Sequence, residues 1–430
     1  MKCRFVTGLV CVPLAAMAFA CAAEAAGERY VFAPVDALPD QATMPDPFRK
    51  PDGSRVKMLA EWPEQREYLK ALLQHYLYGH LPPRPDASQV SFTCTSDEPY
   101  TPPGSTVAGR KQRYRVVLTR NGLTHEFSFS LWRPAEQKRY PVLINNHPEH
   151  SPARAQYSMA EGLRRGYAVV EYERNEVAPD DKGNADRHAG VFRLYPEYDF
   201  YTIGAWAWAY QVVIDVLDRL EVADMGKIIS TGHSRGGFTA MAGAIFDERI
   251  AMAAPSAAGP FSTGSVRQRD PAGFRGTADY AEIMIQRFPH WFHPRYMEFK
   301  GRQNKLPWDV PTLTALVAPR PLLNLSSLGD GLDNWLAHEV GIRSGIAVYE
   351  WFGVGKWCRI HWRDVANVYE QKGHDQGPEE FNAIFDYADE YFFGKPRGPS
   401  TFNVMPNHTT WYYDPAKHPL LMDWHTPGRP

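Results

Sequence analysis

Gly232-His233-Ser234-Arg235-Gly236 constrains this 430-residue chain more than any other stretch, because of what flanks it. Ahead of it Lys227-Ile228-Ile229-Ser230-Thr231 reads as a compact β-run, and beyond it residues 238–246 are small and apolar, as in a helix packed under a sheet. Further upstream, residues 203–220 place Ala205, Ala207, Trp208, Val212, Val213, Val216 and Leu217 at helical spacing. The order is helix, strand, serine, helix. A serine held on so tight a turn needs small neighbours, since side chains there would collide with backbone, and Gly232, Gly236 and Gly237 supply the room. A buried helix with a polar turn would explain the periodicity equally well. It leaves unexplained why three glycines surround one serine.

That order is what an α/β-hydrolase requires: a mostly parallel central sheet flanked by helices, in a three-layer sandwich. Residues 33–54, rich in Pro and Asp, predict an extended arm, and residues 62–78 a helix stopped by Pro82-Pro83-Arg84-Pro85. Alternating segments around 90–94, 112–119 and 125–132 predict antiparallel strands. Short apolar runs at 140–145 and 167–173 predict buried parallel ones. Residues 177–201, with Asp180-Asp181-Lys182-Gly183-Asn184 in their middle, predict a long loop above the sheet that shapes a binding site. Further strands are expected at 250–254, 321–326 and 346–351, and a closing helix at 381–393. With no internal repeat or low-complexity linker, residues 27–430 are expected to form one catalytic domain, its N-terminal extension reaching to about residue 110.

The N-terminus adds a compartment. Lys2 and Arg4 precede an apolar stretch over 5–20 and a small-x-small pattern at Ala23-Glu24-Ala25, so residues 1–26 read as a secretory signal peptide. Lipidation at Cys21 is the alternative, against which Ala18-Phe19-Ala20 is a poor match to a Leu-led lipobox. The stretch is short for a membrane span, and a soluble secreted or periplasmic protein is expected. A net charge of −2 gives no reason to expect a nucleic acid partner. Beyond the leader only Cys94 and Cys358 remain, and an oxidising compartment permits pairing without requiring it. His147-Pro148-Glu149-His150 has the residue types of a metal site but not the spacing of one helical face, so a loop after a strand is the better reading and no metal is expected.

A serine hydroxyl is a weak nucleophile until a histidine takes its proton, and the histidine needs a carboxylate to fix its tautomer. The fold orders these as Ser, acid, His. His374, in the glycine-led Lys372-Gly373-His374-Asp375-Gln376 just before the closing helix, stands where the base belongs; His361 is its rival. The acid should follow a strand between Ser234 and His374. Residues 321–326 lead into Gly329-Asp330-Gly331-Leu332-Asp333-Asn334-Trp335, so either Asp330 or Asp333 could serve.

These residues resemble the glucuronoyl esterase family, carbohydrate esterase family fifteen, and its bacterial branch in particular. The resemblance covers most of the chain after the leader and is carried by Ala205-Trp206-Ala207-Trp208, Gly232 to Gly237, Phe288-Pro289-His290-Trp291-Phe292 and Ala318-Pro319-Arg320-Pro321. It implies that Ser234 is the nucleophile and that Arg235 helps stabilise the oxyanion beside its own N–H. Many members carry a Glu acid after the strand that follows the nucleophile helix, where Pro255-Ser256-Ala257-Ala258-Gly259 has no carboxylate. Other bacterial members place an Asp two residues before a Trp on the later loop. The resemblance therefore implies Asp333 as the acid over Asp330, with Trp335 as a sugar-contacting aromatic. The family often has a Lys four residues after the serine that contacts sugar hydroxyls; Phe238 stands there, and a phenyl ring cannot donate such bonds. Phe238 and Trp291 are candidate substrate contacts, with a core role as the alternative for Trp291.

The resemblance implies a secreted serine esterase that opens esters of uronic acid carboxylates in plant cell-wall polysaccharide or oligosaccharide through an acyl-enzyme, as a monomer and without a cofactor. An acetyl-sugar esterase or a pectin-type methyl esterase would keep the chemistry and change the substrate. A non-catalytic carbohydrate-binding homologue would keep the fold alone, and the intact Ser, His and Asp set argues against it.

Overall fold

The computed structural model describes residues 29–146, 152–268, 280–327, 330, 334–363, 374–396 and 419–428. The leader at 1–26, the motif at 147–150 and Asp333 lie outside them. Nine strands form one sheet: β1 Val90–Tyr100, β2 Gly109–Arg120, β3 Leu123–Pro134, β4 Tyr140–Asn145, β5 Ala168–Tyr172, β6 Ala223–His233, β7 Ile250–Ser256, β8 Leu322–Ser327 and β9 Cys358–Arg363. Their spatial order is β1-β2-β3-β5-β4-β6-β7-β8-β9. The first three run antiparallel to one another and β3 pairs antiparallel with β5, after which every pairing is parallel. The fold is that of an α/β-hydrolase.

Side chains alternate across a strand, and here the alternation sorts the core into two layers. Leu143, Val169, Ile229, Met252 and Leu323 pack with Met159, Leu163, Phe381 and Phe385, from the helices Pro152–Arg165 and Pro378–Phe393. Their neighbours Val142, Ile144, Val170, Ile228, Ala253 and Leu322 share the opposite layer with Val213, Val216, Met241, Ile245 and Leu313, from the helices Thr202–Arg219, Arg235–Phe246 and Val310–Val317. A strand buried on both faces must be largely apolar, which is why β4 and β5 read as apolar runs, interrupted in β5 by Glu171.

One expected strand is not a strand. Residues 346–351 form the end of the helix Trp335–Trp351, and the edge strand is β9. Leu336, Val340, Ser344 and Val348 recur every four residues and are buried. Gly341 and Gly345 let this helix approach so closely that an added Cβ would stand 2.8 Å from Val310 Cγ2 or Thr314 Cγ2. Six residues, five of them apolar, do not carry enough periodicity to separate a strand from a buried helical turn.

The 177–201 stretch contains no strand, as expected, but it is pinned by short helical turns at Lys182–Asn184 and Gly190–Leu194 and by buried Val191, Phe192 and Phe200. The proline-rich arm is likewise anchored. Phe48 is fully buried, with ring centroids 5.9, 4.8 and 6.1 Å from Trp62, Trp351 and Trp424. Cys94 and Cys358 are both free thiols. They stand on β1 and β9, at opposite edges of the sheet, so the fold keeps them apart.

Candidate active site

β6 ends at His233 and the helix Arg235–Phe246 begins two residues later, leaving Ser234 alone at the corner. Its backbone sits at φ 56° and ψ −123°, a region that L-residues rarely occupy. Ser234 N–H donates to Ser256 O at 2.9 Å, and Gly237 N–H donates to Ser234 O at 2.8 Å. The glycines earn their places by contact. A Cβ on Gly232 would stand 2.6 Å from Asn146 Nδ2, one on Gly236 2.8 Å from Asn146 Oδ1 and Arg174 Nη1, and one on Gly237 2.5 Å from Ser256 O. Asn146, fully buried at the end of β4, donates through Nδ2 to Tyr210 Oη, Thr231 O and Gly236 O at 2.8, 3.1 and 2.8 Å.

The imidazole beside this corner is His374. Its ring centroid lies 4.6 Å from that of His233, the residue before the serine. The loop that carries it is tied on both sides: Arg363 Nη2 at the end of β9 donates to Asp375 O at 2.5 Å, and Gln376 Nε2 reaches Thr231 Oγ1 on β6 at 3.4 Å. His374 Nδ1 lies 2.8 Å from Asp330 Oδ2, whose side chain is 1% exposed against 29% for the histidine. The carboxylate that meets His374 is therefore Asp330; Asp333, the expected acid, lies outside the described residues. Beyond the end of β8, Asp330 N–H donates to Ser327 O at 3.3 Å. His361, the rival base, is buried within β9 with Nε2 at 3.5 Å from Glu379 Oε1.

Arg235 points away from the sheet into a constellation built by the 177–201 loop. Its Nη1 is bonded to Asp180 Oδ2, while Asp180 Oδ1 accepts from His290 Nε2 and Trp291 Nε1, each at 2.8 Å. Burial alone would raise the Asp180 carboxyl; hydrogen bonds from His290 and Trp291 and the Arg235 charge outweigh it and hold that carboxyl well below the usual carboxylate range. The guanidinium lies over Trp291 and Phe288, 4.8 and 5.2 Å from their centroids. Trp291 and Phe238 are each only 2% exposed and pack against each other at 6.1 Å, so both form the wall behind Arg235 rather than an open sugar platform. Trp335 is half-buried at the start of its helix, where Asn334 Oδ1 accepts Ala337 N–H at 3.1 Å.

The end of β7 carries no carboxylate of its own, yet one reaches it from the closing helix. Glu380 Oε1 accepts from Ser256 Oγ at 3.5 Å and lies 3.4 Å from Arg363 Nε, while Oε2 accepts Gly377 N–H at 2.6 Å. Ser256 Oγ is in turn 3.2 Å from His233 Nδ1. Burial pushes Glu380 up to about 8, against the pull of Arg363 and the Gly377 N–H.

Sequence reasoning placed Ser234, Arg235 and His374 but did not single out Asp180, Asn146, Arg174 or Glu380. Asp180 lies in a loop that the sequence predicts to shape a site, and His290-Trp291 in the 288–292 segment that carries the family resemblance, so their meeting has a faint signal. Asn146 and Arg174 follow apolar strands with no local pattern to mark them. Among the described residues no cluster of three or more His, Cys, Asp or Glu is arranged to hold a metal ion, and no helix is long and apolar enough to cross a membrane.

A family model described as glucuronyl esterase, fungi, matches residues 116–353. A 4-O-methyl-glucuronoyl methylesterase of Phanerochaete carnosa is 26% identical over 405 residues, covering 89% of this chain and 88% of that one. Carbohydrate esterase MZ0003, from an unknown prokaryotic organism, is 23% identical over 82% of this chain and 90% of its own length. Among solved structures, a carbohydrate esterase family 15 glucuronoyl esterase from Caldicellulosiruptor kristjansonii superposes with a TM-score of 0.68 at 28% identity, covering 84% of this chain and 94% of that one.

Proposed function

Because the chain belongs to the glucuronyl esterase family and is thus a carboxylic ester hydrolase, we propose that it cleaves esters of a uronic acid carboxylate in plant polysaccharide by Ser-His-Asp catalysis. The observation that carries the mechanism is the 2.8 Å contact between His374 Nδ1 and Asp330 Oδ2 beside the strained Ser234 turn. With Nδ1–H donated to Asp330, the imidazole presents Nε2 as a base. Ser234 Oγ loses its proton to His374 as it attacks the ester carbonyl. The alkoxide of the tetrahedral intermediate is stabilised by the N–H that heads the helix Arg235–Phe246 and by the Arg235 guanidinium, which Asp180 and Trp291 hold in place. His374 then protonates the leaving alcohol, and water repeats the sequence on the acyl-enzyme.

The uronate half is supported by the relatives, one of which is named for 4-O-methyl-glucuronoyl esters. Phe238 favours a second reading: buried and without a donor, it offers sugar hydroxyls nothing, so an acetyl-sugar or methyl galacturonate ester remains in competition. Benzyl glucuronate, methyl galacturonate and acetylated xylan, each assayed with the parent and Ser234→Ala, separate these. The first should turn over fastest, and only with the serine present. Acetylated xylan turned over while benzyl glucuronate is untouched would sink the uronate reading. Export is supported by the apolar stretch after Lys2 and Arg4, and finding the protein only inside the cell with its N-terminus uncleaved would count against it.

A further inference from the structure

Arg174 follows β5 and is 6% exposed. Nη1 donates to Asn146 O at 2.8 Å and approaches Asn146 Oδ1 at 3.3 Å, and the guanidinium lies 5.0 Å over Trp206. Among the described residues no carboxylate oxygen lies within 4.0 Å of it, and its buried Nε has no hydrogen-bond partner. Removing one charge from water costs several kcal/mol unless a partner repays it. The placement adds to that cost. Arg174 packs against Gly236, under the first turn of the helix after Ser234, where the helix end is itself positive. Arg235, with the same charge, is its strongest electrostatic neighbour; burial first and Arg235 next push Arg174 down to about 10, which leaves it protonated at neutral pH. The one acid that acts on it across this space, Asp180, is already bonded to Arg235, His290 and Trp291.

Among the described residues, two guanidiniums and a helix N-terminus thus converge behind the serine against one committed carboxylate. Such an excess of positive charge favours an arriving anion, and in serine ester hydrolysis that anion is the oxyanion. We propose that Arg174 is a positioning residue for the transition state: its buried charge favours the oxyanion from beneath the elbow helix, and its bonds to Asn146 fix the start of the loop after β4. The proposal rests on the serine-hydrolase mechanism above but not on the uronate substrate.

The test compares Arg174→Met with Arg174→Lys, following kcat and KM on p-nitrophenyl acetate and on benzyl glucuronate, with melting temperature alongside. Removal of the charge should lower kcat about 10- to 100-fold on both esters with KM within about threefold, since the group acts on the transition state. Lysine keeps the charge and loses the paired geometry toward Asn146. It should restore most of kcat while melting as low as the Met variant. A Met variant whose kcat stays within about threefold of the parent overturns the proposal, as does a Lys variant that loses activity in step with Met, which would make Arg174 a brace. Arg174→Gln reads the same quantity if the Met variant does not fold. Should the parent hydrolyse p-nitrophenyl acetate and not benzyl glucuronate, the substrate reading fails while the Arg174 comparison is still decided.

Discussion

Asp330 and Asp333 stand three residues apart on one loop, and only the fold separates them. Asp330 Oδ2 meets His374 Nδ1 at 2.8 Å, so Asp330→Asn should lower kcat by roughly three to four orders of magnitude, as loss of the tautomer-fixing acid does elsewhere. Asp333→Asn should cost at most about tenfold, and steady-state kinetics showing the reverse order would reassign the acid. Asp180 acts differently, by aiming Arg235. Asp180→Asn keeps the shape, removes the charge, and should lower kcat about 10- to 100-fold with little change in KM. Its pH dependence has a definite sign. The folded-state carboxyl is depressed, so its contribution to stability is full above the ordinary carboxylate range and is lost only as pH falls through the depressed value. Activity lost between pH 6 and 5 would therefore not trace to this pair. At this scale Ser234 and His374 stand out in the sequence, because each has neighbouring glycines and a local pattern of its own. The sequence could not disclose which aspartate reaches the imidazole, or that Asp180 meets His290, because those contacts join segments far apart in the chain.

Elements were legible where periodicity or punctuation was strong. The helix before the elbow, the elbow strand and the closing helix carry such signals, while the helical repeat that governs 346–351 extends upstream of that short run. The closing helix also carries a feature that no pattern reveals. Glu380, at its third position, faces inward to the end of β7 and is 1% exposed. Its pKa rises from the ordinary 4.5 to about 8, so the folded state holds a proton that the unfolded state releases. Stability is accordingly full below the ordinary value and declines as pH rises to about 8, with a limiting slope of about 1.4 kcal/mol per pH unit. Glu380→Gln keeps a polar group facing Ser256 and removes the titration. Its melting temperature should change less between pH 5 and pH 8 than the parent's, and parallel pH profiles would show that Arg363 keeps the carboxylate ionised instead.

At the scale of the whole molecule, the two ends of the described chain meet on one helix. Met44 joins Leu336 and Val340 near the start of Trp335–Trp351, and Phe48 packs on Trp351 at its end. Trp424 closes the arrangement, donating from Nε1 to Met44 O at 2.7 Å while its ring faces Phe48. A proline-rich segment that reads as a loose arm is thus a strap, because burying one aromatic among three tryptophans repays the ordering of a stretch with few backbone bonds. Phe48→Ala should therefore cost about 3–5 kcal/mol, the usual range for deleting a fully buried phenyl ring, visible as a lower urea midpoint. The catalytic loop should not notice. Seventeen residues at 1.5 Å rise put Trp351 about 24 Å along the helix from Trp335, so kcat measured well below the melting temperature should stay within about twofold. A midpoint shift under about 1 kcal/mol would mean that the arm contributes little to the fold. A collapse of kcat in a folded Phe48→Ala protein would mean instead that the strap sets the register of the helix, and through it the loop that carries Asp330.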